Sequence, residues 1–138
     1  MKKVIYNSWL ARTFLCDNYS TITLAAWVCT KFKSKEEMPQ WIRNHECIHV
    51  RQWVECMLAS GSIIWVLVLT FRIPPSWFCL SLIMFYVLYV LEWLIKLPFY
   101  GKKAYNRISF EQEAYNNQYD NNYMENGGYL GWVRYICG

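Results

Sequence analysis

The sequence predicts a mainly α-helical α+β fold, and three observations point to it. Two uncharged apolar runs flank a turn broken by two prolines and read as a helical hairpin. Ahead of them, a more polar segment keeps helical spacing around the chain's only two histidines, His45 and His49. Residues 1–33 are instead rich in β-branched and aromatic side chains and read as short strands. At 138 residues the chain has the length of one domain, so 1–138 is expected to fold as a single unit.

In chain order, residues 4–16 and 20–33 form the expected strands, a short hairpin or two separate ones, with Asp17-Asn18 as the turn between them. Met1-Lys2-Lys3 resembles the start of a signal peptide. Asn7 and Arg12 interrupt the apolar stretch that should follow, and no small-residue cleavage site comes after it, so no cleaved signal is expected. The six cysteines are scattered without a C-x-x-C pair. Cys56 and Cys79 lie inside apolar runs, which favours reduced thiols over disulfides.

Ser34 reads as a helix N-cap, with Glu36 and Glu37 in the first turn where the helix dipole favours acid. A helix is expected over 36–55, with Pro39 as the one point where it could restart. Residues 56–71 and 77–91 carry no charge, and Arg72-Ile73-Pro74-Pro75-Ser76 forces a turn between them. Each run falls short of the ~20 residues that span a bilayer, but helices over 53–71 and 77–97 are long enough. Trp53, Trp77 and Trp93 then lie near the interfaces.

The alternative is a hairpin buried in a soluble bundle. A chain of this size can hardly bury two helices that are apolar all round, which favours a membrane hairpin over 53–97. Lys2, Lys3, Arg12, Lys31, Lys33, Lys35, Arg43 and Arg51 precede the hairpin. Lys96, Lys102, Lys103, Arg107 and Arg134 follow it, and only Arg72 is at the tip. The positive-inside rule then puts both termini in the cytoplasm, at the inner membrane if the source is bacterial.

Pro98 and Gly101 should end the second leg, and a further helix is expected over 102–119. The tail, 120–138, is Asn-rich and reads as loop before a last apolar stretch. The chain is 55% hydrophobic and 19% aromatic, more than a soluble core of this size needs, which suggests contact with lipid or a partner. A net charge of +4, with no basic run interleaved with aromatics along one face, argues against nucleic acid.

HECIH at 45–49 is an H-E-x-x-H motif on an expected helix. Residues four apart share a face, so two imidazoles can hold one Zn²⁺ while Glu46 serves as general base toward water. Chance occurrence in such a chain is on the order of a few per thousand. The alternative is a pair of ordinary helix histidines beside an ion-paired Glu. Cys47 points about 200° from His45 and reads as packing. A catalytic zinc site needs a third protein ligand. With no histidine left, the candidates are Glu111 and Glu113. They lie roughly 200° apart around a helix, so only one can face the metal. Glu111 is favoured, because E-x-x-A places the small Ala114 where two helices can approach closely.

The order of H-E-x-x-H helix, apolar hairpin and E-x-x-A helix resembles the integral-membrane gluzincins of the CAAX-prenyl-protease and HtpX type. Over most of its length the chain is also similar to a family of short uncharacterised bacterial proteins carrying H-E-x-I-H-x-R-Q and I-S-F-E-x-E-A-Y, here residues 45–52 and 108–115. The resemblance implies a gluzincin metallopeptidase with zinc on His45, His49 and Glu111, and Glu46 as base. Membrane gluzincins usually carry Asp directly after the Ala of E-x-x-A, where this chain has Tyr115. That leaves Asn116, Asn117 or Gln118 as candidates to orient a metal-ligating histidine. For an oxyanion the candidates are Tyr115, Tyr119, Arg51 and Arg107.

Gln52 lies near the His45/His49 face and is either a support for the site or simply solvated. Glu92 and Lys96 are spaced as an i,i+4 ion pair. The strand around residues 21–32 either covers the core or offers an edge to an extended peptide. The expected function is zinc-dependent hydrolysis of peptide or protein substrates at the membrane. The rival is a non-catalytic membrane protein, a partner or sensor, in which zinc ties two helices together.

Overall fold

The computed structural model describes residues 3–9, 13 and 21–136. The fold is mainly helical, with one small three-stranded sheet and two long apolar helices. The chain forms two compact units, Met1–Arg51 with Glu113–Gly128, and Gln52–Gln112 with Tyr129–Gly138.

In the first unit, strands β1 (Lys3–Ile5), β2 (Thr21–Leu24) and β3 (Trp27–Thr30) form a sheet in the order β1-β3-β2. β1 runs parallel to β3, pairing Val4 with Val28, and β2 runs antiparallel to it, pairing Ile22 with Cys29. The central strand is the buried one: Val28, Cys29 and Thr30 are each at most 1% exposed. Val28, Met38 and Val50 form a small core with Val4, Tyr6, Phe32 and Ile42 packed on it.

Two strand expectations are corrected. Residues 4–16 are not one strand. β1 stops at Ile5, and Trp9 and Thr13 are helical, the Thr13 hydroxyl donating to the Trp9 carbonyl one turn back. Residues 20–33 are not one strand either, but a hairpin folded at Ala25-Ala26, with Ala25 at φ 54°. The expected turn at Asp17-Asn18 lies outside the described residues.

Helix α1 (Gln40–Phe71) is 32 residues long and begins directly after Pro39, whose carbonyl accepts from Arg43 N. Residues 36–38 form turn and bend, not the first turn of a helix, which corrects the expected start. A proline cannot donate within a helix but can stand at its entrance, so Pro39 sets the boundary. The helix then runs through residue 55 into the apolar stretch without a break. Near the other end of this unit, Arg51 donates to the carbonyls of Tyr123, Gly127 and Gly128. A Cβ at Gly127 would stand 2.6 Å from the Tyr123 carbonyl and 2.9 Å from Arg51, so this loop requires glycine.

In the second unit, α1 continues to Phe71, Arg72 takes φ 52°, and a 3-10 turn (Pro75–Phe78) leads into α2 (Cys79–Tyr100). Pro98 lies inside the last turn of α2, and the helix ends at Gly101, whose positive φ of 53° suits a residue without a Cβ. Two 3-10 turns (Gly101–Lys103 and Tyr105–Arg107) follow, so the next helix, α3 (Ser109–Asn117), starts seven residues later than the expected 102. In the tail, α4 (Tyr123–Asn126) stands in the first unit where loop was expected, and the last apolar stretch forms a 3-10 turn (Gly131–Tyr135) in the second.

The core of this unit is aromatic. Cys56, Phe85, Ile108 and Phe110 are buried, with Trp53, Tyr89, Tyr105 and Trp132 against them. Phe110 packs on Phe85 at 5.0 Å and on Trp132 at 4.4 Å between ring centroids. Beyond this cluster both helices turn large apolar side chains outward, among them Leu58, Ile63, Val66, Leu69, Val90 and Ile95. Ser60 and Ser62 return their hydroxyls to carbonyls one turn back, which satisfies them without water. Both helices, Gln40–Phe71 and Pro75–Lys103, are long and apolar enough to cross a membrane. Cys29, Cys47, Cys56 and Cys79 are thiols rather than disulfides.

Candidate metal centre

Helical spacing places His45 and His49 on one face of α1, and their Nε2 atoms stand 3.1 Å apart with the rings nearly perpendicular, at 81°. His49 is buried, and His45 is partly exposed and packs beside Tyr115 at 4.8 Å between centroids. The ligand atoms of His45, His49 and Glu111 all lie within 4.8 Å of one another. Two neutral imidazoles and a carboxylate are a donor set that suits Zn²⁺. Tetrahedral zinc with bonds of ~2.0–2.1 Å holds its ligand atoms about 3.3 Å apart. The two histidines already stand near that spacing. The same 3.1 Å also suits an N–H···N hydrogen bond between the rings.

Glu111 is 2% exposed, and its Oε1 accepts from Tyr89 at 2.6 Å and from Tyr105 at 2.9 Å. Glu113, 1% exposed, instead accepts from the Tyr123 hydroxyl at 2.7 Å. The two glutamates therefore have different partners, as their angular separation on α3 requires.

Glu46 is buried, and both its oxygens are engaged: Oε1 accepts from Thr21 at 2.7 Å and Oε2 from Thr23 at 2.5 Å. Residues two apart on a strand share a face, so β2 brackets this one carboxylate with two hydroxyls.

The remaining candidates take varied positions. Gln52 is fully buried rather than solvated and donates to the Phe110 carbonyl at 3.0 Å. Arg51 holds the 123–128 loop, and Arg107 lies over the Tyr100 ring. Tyr119 is 74% exposed and faces Trp41, and Asn116 is exposed. The Asn117 side chain donates to the Glu113 carbonyl, and the Gln118 carbonyl accepts from Asn44. Glu92 and Lys96 pair at 2.9 Å, as their spacing indicated.

Sequence reading did not single out Thr21, Thr23, Tyr89 or Tyr105. The Thr pair carries a period-2 signal, and Tyr89 stands three and seven residues before Glu92 and Lys96. Both signals are visible in the sequence, but neither names its partner. No family model, curated protein or solved structure matches the chain.

Proposed function

We propose that the protein is a zinc-dependent, metallopeptidase-like hydrolase acting on peptide bonds at a membrane. The observation that carries this reading is the convergence of His45 and His49, four apart on α1, with the carboxylate of Glu111. When bound, zinc supplies a Lewis acid that polarises a carbonyl and acidifies water. Glu46 takes the proton from the attacking water and delivers it to the leaving amine. Thr21 and Thr23 fix the rotamer of that base. Tyr115, beside His45 and partly open to solvent, is the best-placed phenol to donate to an oxyanion. Among the described residues β2 pairs with β3 alone, and its other edge is the one an extended peptide would join. The resemblance to membrane gluzincins, carried by H-E-x-x-H at 45–49, the apolar hairpin and E-x-x-A at 111–114, supports the same reading. Both termini and the site are assigned to the cytoplasmic side on the distribution of Lys and Arg, and lipid to the outward apolar faces of 56–71 and 77–91.

One observation favours a second reading. With both Glu46 oxygens accepting from β2, the carboxylate serves equally well as a bracket between strand and helix. The protein would then be a zinc-stabilised membrane partner or sensor without turnover. Peptidase assay of zinc-loaded wild type and Glu46→Gln separates the two. Hydrolysis abolished by Glu46→Gln supports the enzyme, and a wild type inert toward a broad peptide library supports the second reading.

A further inference from the structure

α2 is apolar around most of its surface, yet it carries Tyr89, Glu92 and Lys96 at i, i+3 and i+7, one stripe along one face. All three engage the segment that leads to Glu111. Lys96 donates to the Arg107 carbonyl at 2.5 Å and pairs with Glu92. Glu92 accepts from both the backbone N–H and the hydroxyl of Ser109, placing a carboxylate at the start of α3. Tyr89 donates to Glu111 itself, and Tyr105 donates to the same oxygen. Ionisable groups are costly on a helix of this composition, so their joint commitment to 105–111 needs a reason.

We infer that Tyr89 and Tyr105 are positioning residues that fix the Glu111 carboxylate for a cation, with Glu92 and Lys96 fixing the backbone that carries it. The inference rests on the zinc reading above. Two phenols on one oxygen stop the carboxylate from turning about its own axis, as outer partners do for metal ligands generally. A device that merely solvated a buried glutamate would support the fold and leave cation affinity alone.

The test is chelator competition for zinc on the full-length protein in detergent. Tyr89→Phe and Tyr105→Phe should each weaken zinc binding by about tenfold or more while circular dichroism stays that of wild type. In a Glu111→Gln background neither change should weaken binding further, because the phenols act through that carboxylate. The cobalt-loaded Phe variants should show altered visible absorption, reporting a changed ligand field. Unchanged zinc affinity in both Phe variants overturns the inference and leaves the zinc reading standing. The same holds if the loss is as large in the Glu111→Gln background. A wild type that binds no zinc overturns the zinc reading and this inference together.

Discussion

The Tyr123 hydroxyl donates to Glu113 at 2.7 Å, while Glu111, two residues earlier, accepts from Tyr89 and Tyr105 instead. Neighbouring glutamates on one helix thus have different hydrogen-bond partners. On the zinc reading, Glu111→Gln should weaken zinc binding by more than about 100-fold, since it removes the proposed charged ligand. Glu113→Gln should leave zinc in place, and Glu113→Ala should lower stability by about 1–3 kcal/mol by stranding buried partners. Metal content and thermal melting of the three variants check both halves. Loss of zinc from Glu113→Gln alone would mean that α3 presents the other glutamate.

Glu46 should be separable from the metal ligands. Glu46→Gln should retain zinc and abolish any peptide hydrolysis, because no base remains to take the proton. Replacing its partners, Thr21→Val with Thr23→Val, should cost about 1.5–3 kcal/mol per lost bond to the charged group. If the threonine variants melt like wild type, β2 does not hold Glu46.

Ala25 occupies the left-handed region at φ 54° in the turn between β2 and β3. A Cβ there costs roughly 1–2 kcal/mol, so Ala25→Gly should raise the melting temperature in spite of glycine's entropy. A lower melting temperature would mean that the hairpin turns elsewhere.

Cysteine-accessibility labelling, in a background without the native cysteines, tests the membrane arrangement. Cysteine at Ser76, in the turn between the apolar helices, should label from the opposite side to cysteines at Ser34 and Asn122. Labelling of all three from one side would contradict a spanning hairpin.

The helices and the site differed from the strands in how far the sequence announced them. His45, Glu46 and His49 are legible because a fixed helical period converts spacing into direction. The long helices are legible because sixteen uncharged residues at 56–71 have few alternatives. The turn at Ala25-Ala26 was not, since two alanines carry no turn chemistry and their conformation is imposed by strand pairing. Pro39 marked the start of α1, but Ser34 with its acidic neighbours offered a competing start. The hydroxyls on Glu46 and Glu111 come from residues more than twenty positions away, apart from Tyr105, and only the tertiary fold brings them in.

Zinc content measured on purified wild type, His45→Ala and His49→Ala decides whether the two histidines hold a metal. The expected outcome is about one zinc per wild-type chain and its near-complete loss from each variant. Equal zinc in all three proteins, or none in the wild type, would contradict it.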